Sequence, residues 1–425
     1  MEKYGLKEND LVTLKCGASS AQARISRIPV NPMDSREMGL SADILHHLRI
    51  PEETTFLIKP EANRCFRLGP VIGILTFPGH IPHALKFYRT YAEVNKTNGI
   101  LFVFRGRGID LERRIVSGYY YNHREKTWQP GEFPYPDAVI DRTYPNAYIS
   151  HILLEKVIGK NRIFNKRSMI NKLDFVKALG KNPVLGKHIP ETWGFSDASQ
   201  MESMLEKYGE VFLKPVDAMK GIGIVVVKKS PGGVMSCSYF IKGKNFTTHI
   251  SSANEIFEVL VKAAGYRRPY VIQQGIPRME YQGGPFSIRT WAMKNGQGRW
   301  VIPGMFAKGS LGSGFLTNFT AGAKLIKLKD LFESIIPRLP YAKTELLTLL
   351  EDLTLKTAEG LDARFGPLGE LGLDIVFDHH GKPWLIEANG NPGIIPIFIQ
   401  KEYPLWPALL YKYPSDYATF LAGFR

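Results

Sequence analysis

The chain has 425 residues, 44% hydrophobic and 22% charged, which excludes a disordered polymer or a single small core and leaves room for two or three domains. A net charge of +15 asks for an anionic partner, yet lysine and arginine form no long block, so specific nucleic-acid binding through a basic tail is not expected. Three dispersed cysteines, Cys16, Cys65 and Cys237, exclude a disulfide framework or zinc site and read as small buried residues in a reducing, cytoplasmic compartment; no signal peptide opens the chain, and no apolar run approaches the roughly 18 residues of a membrane span.

Residues 1–66 read as a small β-rich module. LVTLK (11–15), QARISRIPV (22–30) and TTFLIK (54–59) have strand composition, and SADILHHL (41–48) suits one helix whose His46 and His47 face solvent. Residues 67–160 read as an α/β domain. GPVIGILTF is a buried-type strand run from Gly69, and Leu85, Tyr88, Tyr91 and Val94 recur at helical steps over 83–99. ILFVFRG (100–106) is a second strand, DAVIDRTY (137–144) closes the unit, and a helix over 151–160 leads out. Strand–helix–strand at this spacing predicts a parallel pair. Residues 161–425 read as α+β. Helices are expected over 168–180, 252–264 and 343–362, the last with Leu346, Leu350, Leu353 and Leu361 on one stripe. Strands are expected over 211–214, 223–228, 270–273, 287–294 and 299–308. The last 25 residues, aromatic and Pro-containing, are expected to pack back as helix and loop.

The segment GLDIVFDHHGKPWLIEANGNPG, Gly372 to Gly393, carries the most chemistry. Leu371–Phe377 and Trp384–Ala388 read as strands, and a four-residue loop, His379–Lys382, sets Asp374 opposite Glu387. Glu387 and Asn389 share a face because strand side chains alternate. Two bare carboxylates about 4 Å apart repel by roughly 4 kcal/mol at an effective dielectric near 20. Mg²⁺, which takes oxygen ligands shared with phosphates, would remove that cost; a surface hairpin with solvated charges is the competing reading. His379 and His380, at the turn tip, are read as solvated.

LKPVDAMKGIGIVVV (213–227) is the second such segment. A strand ends at Lys214-Pro215 and a loop with Gly221 and Gly223 follows, where backbone N–H groups can approach phosphate oxygens beside a compact cation. GKH at 186–188 and GKN at 159–161 and 243–245 lack the Ser/Thr of a P-loop. The G-x-G runs at 106–108 and 221–223 lack the third small residue of a dinucleotide fingerprint.

Taken in order, these motifs resemble the ATP-grasp superfamily over about residues 162–400. Asn171-Lys172 resembles the helix opening that carries the first ATP-contacting lysine, and His188 to Thr192 the strand that follows. Lys214 with Lys220, Gly221 and Gly223 resembles the second lysine and its glycine flap. VIQQGI (271–276) resembles the hinge strand that meets adenine, which makes Gln273, Gln274 and Ile276 candidate nucleotide contacts. Arg289 in SIRTWAM resembles the phosphate-facing arginine, Asn318 in TNFTAGA belongs to the loop near the transferred phosphate, and Asp374, Glu387 and Asn389 resemble the magnesium ligands. LGPVIGIL (68–75), the preceding β module and EANGNPG resemble more narrowly the endospore coat-associated YheC/YheD family.

The resemblance implies a two-lobed nucleotide site, with a flap subdomain at about 185–275, preceded by an α/β pre-ATP-grasp domain. It also implies ATP and one or two Mg²⁺ ions as cofactors. The implied activity is a ligase that joins an unidentified carboxylate to an amine or other nucleophile through an acyl phosphate. A small-molecule kinase, or a spore-coat assembly protein that binds ATP without turnover and meets a polyanionic layer, stays open. Two departures stand out: glutamine occupies the hinge where an acid often binds ribose, and Leu373 precedes Asp374 where some dipeptide-forming relatives carry arginine. Residues 106–135, rich in Arg and Tyr, are read as candidate acceptor lining, and 309–314 as a mobile loop.

Overall fold

The computed structural model describes residues 5–26, 39–52, 54–77, 79, 81–94, 99–143, 147–167, 169–217, 221–265, 268–310, 317–392 and 402–424, with Pro407 by its backbone alone. Lys220 and most of the 309–314 loop lie outside them. β1 (Leu11–Cys16), β2 (Ser19–Arg24), β3 (Leu57–Glu61) and β4 (Cys65–Gly69) form a four-stranded sheet in the order β2-β1-β4-β3, with α1 (Ala42–Leu48) after β2. Val12, Leu14 and Cys16 alternate onto its buried face. The strand expected at 22–30 starts earlier, because the tight turn after Cys16 pairs Cys16 with Ser19 and Leu11 with Arg24. All three cysteines are free and buried.

The strand run read from Gly69 is two strands. Pro70, with no N–H to give either ladder, separates β4 from β5 (Val71–Thr76) of a second sheet. That sheet adds β6 (Ile100–Asp110), β7 (Ile115–Asn122), β8 (Thr127–Pro134), β9 (Ala138–Arg142) and β10 (Ile163–Phe164), in the order β10-β9-β5-β6-β7-β8. β5 is parallel to both β6 and β9, as the strand–helix–strand spacing predicts. α2 (Ile81–Val94) makes the crossover, starting two residues before the expected 83 with Pro82 in its first turn. α3 (Tyr148–Ile158) leads out. β5 buries Ile72 and Ile74 against α2 on one face, and Val71 and Leu75 against the first sheet's core on the other. Side chains buried on both faces are what make this strand read as a continuous apolar run.

α4 (Lys172–Leu179) starts later than the expected 168 because Asn171 caps it, its side chain accepting from the Asp174 N–H at 2.8 Å. β11 (Thr192–Phe195), α5 (Ala198–Tyr208), β12 (Glu210–Pro215), β13 (Val225–Lys229), β14 (Met235–Ile241), β15 (Lys244–Ile250), α6 (Ile256–Ala264) and β16 (Tyr270–Gln274) follow. The strands form an antiparallel sheet, β11-β16-β12-β13-β14-β15. Val211, Leu213, Val227 and Ile272 pack under Met201, Leu205 and Leu260 of the two helices. Side-chain alternation then turns Phe212, Lys214 and Gln273 to the opposite face.

The last sheet comprises β17 (Glu280–Tyr281), β18 (Gly284–Lys294), β19 (Trp300–Val301), β20 (Met305–Gly309), β21 (Lys324–Ile326), β22 (Glu370–Phe377) and β23 (Pro383–Asn389), with the path β21-β20-β18-β22-β23. The strand expected at 299–308 breaks into β19 and β20. Pro303 cannot donate, and the Trp406 indole lies on Gly304, where a Cβ would meet it at 2.5 Å. α7 (Leu328–Ile335) and α8 (Lys343–Phe365) cover one face, and all four leucines of the predicted stripe are buried there. α9 (Trp406–Leu421) is the expected return of the C-terminal segment. It packs on β18, β9 and α2, so it ties this sheet to the second one. Among the described residues no helix is long and apolar enough to cross a membrane.

Candidate functional site

Asp374 pairs with Glu387 across β22 and β23, as the sequence predicts, but by another route. The connection is one residue longer than expected, Asp378 to Lys382, because Phe377 pairs with Pro383. That alone would set Asp374 against Ile386. A bulge between Asp374 and Ile375 leaves Ile386 over and restores the Asp374–Glu387 pair. The turn is held by Asp378, whose Oδ1 accepts from the His380 and Lys382 N–H groups and whose Oδ2 accepts from the Trp384 indole. His379 and His380 are exposed, as expected.

Arg289 on β18 lies opposite Asp374 on β22. Its Nε donates to Asp374 Oδ1 at 2.7 Å and its Nη2 to Oδ2 at 3.0 Å, a bidentate pair. Lys308 of β20 adds a third contact, Nζ to Oδ2 at 3.2 Å. Burial works to raise the Asp374 carboxyl, but Arg289 and then Lys308 outweigh it and hold it well below the usual carboxylate range. Burial, with the nearby Arg289 charge, pulls the Lys308 ammonium down against the attraction of Asp374. The repulsion expected between two bare carboxylates is thus relieved inside the protein, by cations the hairpin segment alone does not reveal. Gly372 makes room for the arginine: a Cβ there would meet Arg289 Nη1 at 2.6 Å and Pro392 Cβ at 2.9 Å.

The facing wall comes from β12, β16 and α4. Lys214 is only 7% exposed and donates to the Gln273 side-chain carbonyl. No carboxylate lies within ion-pair distance of it among the described residues. Burial, with the nearby Lys172 charge, pulls its ammonium down from 10.5 to about 7 against the attraction of Glu387. Lys172, the first residue of α4, donates to the Pro215 carbonyl at 3.2 Å and is also pulled down by burial. Gln273 Nε2 donates to Thr192 Oγ1 at 3.0 Å, which fixes the amide so that its carbonyl meets the lysine.

Between the walls lies a cleft of about 680 Å³, its open mouth included. Lys214, Gln273, Gln274, Ile276, Asn318, Asp374 and Glu387 all line it. Lys172, Glu387 and Asn389 line an adjoining hollow, so Glu387 is common to both. Of the remaining candidates, Arg289 reaches the cleft through Asp374, and Lys220 is outside the described residues. Gly221 and Gly223 do not line the cleft; Ile224 does. Gly223 has a packing reason of its own: φ is +73°, and a Cβ would meet Pro215 Cγ at 2.9 Å. The Tyr270 hydroxyl donates to its carbonyl at 3.0 Å. Residues 106–135 do not line either hollow.

Three site residues are missing from the sequence candidates. Arg278 lines the cleft and lies over the Phe212 ring at 5.4 Å. Lys308 needs the β18–β20 pairing to reach Asp374. Ser287 donates to Thr317 at 3.0 Å beside Asn318. The donor set suits a hard divalent cation: Asp374, Glu387 and Asn389 offer oxygen ligands from one hairpin, and Asp374 Oδ1, which accepts only from Arg289, keeps lone-pair capacity, whereas Oδ2 is taken by Arg289 and Lys308. The cationic wall suits phosphates. No cluster of three or more His, Cys, Asp or Glu residues that could hold a metal without such help occurs among the described residues.

A family model described as YheC/D-like ATP-grasp matches residues 160–421. The chain is 26% identical over 400 residues to the endospore coat-associated protein YheD of Bacillus subtilis (strain 168), covering 90% of this chain and 85% of that protein. It is 28% identical over 305 residues to the endospore coat-associated protein YheC of the same organism, covering 69% of this chain and 81% of that one. Among solved structures, the ATP-grasp ligase PsnB complexed with minimal precursor aligns with a TM-score of 0.45 at 11% identity, over 80% of this chain and 99% of that one. The D-alanyl-alanine synthetase A from Vibrio cholerae O1 biovar eltor str. N16961 aligns with a TM-score of 0.47 at 12% identity, over 83% and 98%.

Proposed function

The chain belongs to the YheC/D-like ATP-grasp family, and on that premise we propose that it binds Mg-ATP in this cleft and uses it to join a carboxylate to a nucleophile. The observation that carries the proposal is Lys214: a buried ammonium pulled down to about 7, with no carboxylate in ion-pair contact among the described residues, facing Asp374 and Glu387 across the cleft. Such a lysine is unfavourable by itself and is satisfied by a bound polyanion. Lys172 and Lys214 take the α- and β-phosphates, and the segment with Lys220, Gly221 and Gly223 covers them. Gln273, Gln274 and Ile276 line the adenine slot with Phe212 and Ile224. Asp374, Glu387 and Asn389 hold one or two Mg²⁺ ions, which when bound offset the charge of the phosphate tail.

In the reaction, a carboxylate oxygen attacks the γ-phosphorus and ADP leaves, giving an acyl phosphate. An amine then attacks the acyl carbon, phosphate leaves, and the amine loses a proton to solvent or base. Arg289 faces the charge that develops on the γ-phosphoryl, with Lys308 behind it and Asn318 from the facing loop. Lys308 supplies a second cation where the sequence, with Leu373 before Asp374, shows only Arg289.

Calorimetry with Mg-ADP, and release of ADP and phosphate with a pool of acids and amines, test this reading. Glu387→Gln is expected to abolish turnover and weaken magnesium-dependent nucleotide binding by about tenfold or more; full activity in that variant would remove the metal assignment. Phosphate found on a stable product would favour a kinase. The coat-associated names of YheD and YheC, with a net charge of +15, favour a second reading: a spore-coat assembly protein gated by ATP. Tight Mg-nucleotide binding without turnover on any acid would support it, as would localisation of tagged protein to the coat rather than the cytoplasm.

A further inference from the structure

The α/β unit carries a second polar cluster that the nucleotide site does not use. In the second sheet, Thr76 at the end of β5 pairs with Arg105 on β6 and with Arg142 on β9. The strands are parallel, so all three side chains share one face, the face that buries Ile74, Val103 and Ile140 against α2. Thr76 and Arg142 end their strands, and Arg105 is the last β6 residue paired with β5, so the row lies at the carboxyl edge of the parallel pairing, where open α/β sheets bind ligands. Adjacent strands lie about 4.8 Å apart, so the two guanidinium groups are within reach of one small anion over Thr76.

The charges in this row do not cancel. Arg142 is buried, pairs with the buried Glu370 at 2.8 Å, and is neutralised by it. Its Nη1 also donates to Asn391 Oδ1 at 2.7 Å, two residues beyond Asn389. Arg105 has no carboxylate partner among the described residues, and its Nε is buried with no hydrogen-bond partner; the Nε of Arg142 is likewise buried and unpartnered. Asp141, the nearest acid in sequence, alternates to the opposite face and is taken by His151 at 2.6 Å and by Thr143. Among the described residues the Thr76 hydroxyl meets only the Tyr88 hydroxyl, at 3.1 Å. Among the described residues the row is left with one uncompensated positive charge and unpartnered donors.

We propose that Arg105, Thr76 and Arg142 form a subsite that binds one carboxylate of the substrate, and that Asn391 links it to the Asp374–Glu387 hairpin. A planar carboxylate matches a guanidinium fork and one hydroxyl, and it balances the single surplus charge. The substrate class is therefore an acid with a carboxylate available to this row, such as an amino acid, a dicarboxylic acid or an acidic peptide. This assignment rests on the ligase reading for its place in a reaction, but the binding itself does not depend on nucleotide.

The test is calorimetry of the full chain against L-glutamate, succinate, D-alanine and a short acidic peptide, each with and without saturating Mg-ADP. Arg105 is chosen for substitution because losing Arg142 would strand Glu370 in the interior. At least one acid is expected to bind the wild-type chain. Arg105→Ala should weaken it about tenfold or more, and Arg105→Lys and Thr76→Val less. Mg-ADP affinity and thermal midpoint should be unchanged in Arg105→Ala. Equal acid affinity in wild type and Arg105→Ala, or no binding of any of the four acids to the wild type, would overturn the subsite. Failure of Mg-ADP to bind while an acid still binds through Arg105 would instead remove the nucleotide reading and leave the subsite standing.

Discussion

The two walls of the cleft handle buried charge in opposite ways. On the β18–β22 wall, Asp374 meets Arg289 and Lys308 within 3.2 Å, so the charges are met inside the protein. On the β12–β16 wall, Lys214 is as deeply buried and, among the described residues, meets an amide and the face of the Phe212 ring at 5.2 Å but no carboxylate. The first wall is built to stay assembled, because removing one charge exposes the cost of the others. The second is built to take something in, because its charge has no partner until a ligand brings one. A binding site can thus be located by where a protein leaves a buried charge unanswered.

Substitutions on either wall should separate stability from binding. Asp374→Ala strands Arg289 and Lys308, and is expected to lower unfolding free energy by about 3–5 kcal/mol in urea titration. A smaller loss than in an exposed-site control such as Glu333→Ala would refute the internal pairing. Lys214→Met is the counterpart. Without ligand it should leave the urea midpoint unchanged or higher, while Mg-ADP affinity falls about tenfold to a hundredfold. Undiminished affinity would mean that the lysine does not meet phosphate.

Gly223→Ala puts a Cβ on a left-handed residue and against Pro215, so a loss of about 1–2 kcal/mol is expected, read from the thermal midpoint. No loss would show that the loop relaxes away from Pro215. The smallest effect is in pH. Lys214 is lowered in the fold to about 7 from 10.5, so between these values the unfolded chain binds more protons and this group's contribution to stability rises with pH. Phosphate favours the charged ammonium, so Mg-ADP binding should take up a proton and weaken as pH climbs past about 7. Calorimetry in buffers of different ionisation heat would show the uptake, and Lys214→Met should abolish it.

The parts of the site that lie close in sequence were legible early. Asp374, Glu387 and Asn389 share one hairpin, and strand alternation is enough to aim them together. Even there, two departures from simple alternation cancel: the turn is one residue longer than expected, and the bulge at Ile386 makes up the difference. Lys308, Arg278 and Gly372 were invisible because nothing local marks them. Lys308 matters through the pairing of β20 with β18, and Gly372 through a clash that exists only once Arg289 is in place. The glycine loop shows the converse. Its composition pointed to phosphate contact, whereas Gly223 is required first by Pro215 and Tyr270.

Sequence alone determined the membership in the family, the parallel α/β unit, the leucine stripe of α8 and the carboxylate pair of the hairpin. Each depends on periodicity or order along the chain, which short-range geometry converts directly into faces. Tertiary structure decided which charges are answered. It brought Arg289 and Lys308 to Asp374, left Lys214 with an amide, and set Arg105 beside Thr76 without an acid. Those outcomes depend on distances between strands far apart in sequence and on how much water burial removes, and neither quantity is encoded in any local pattern.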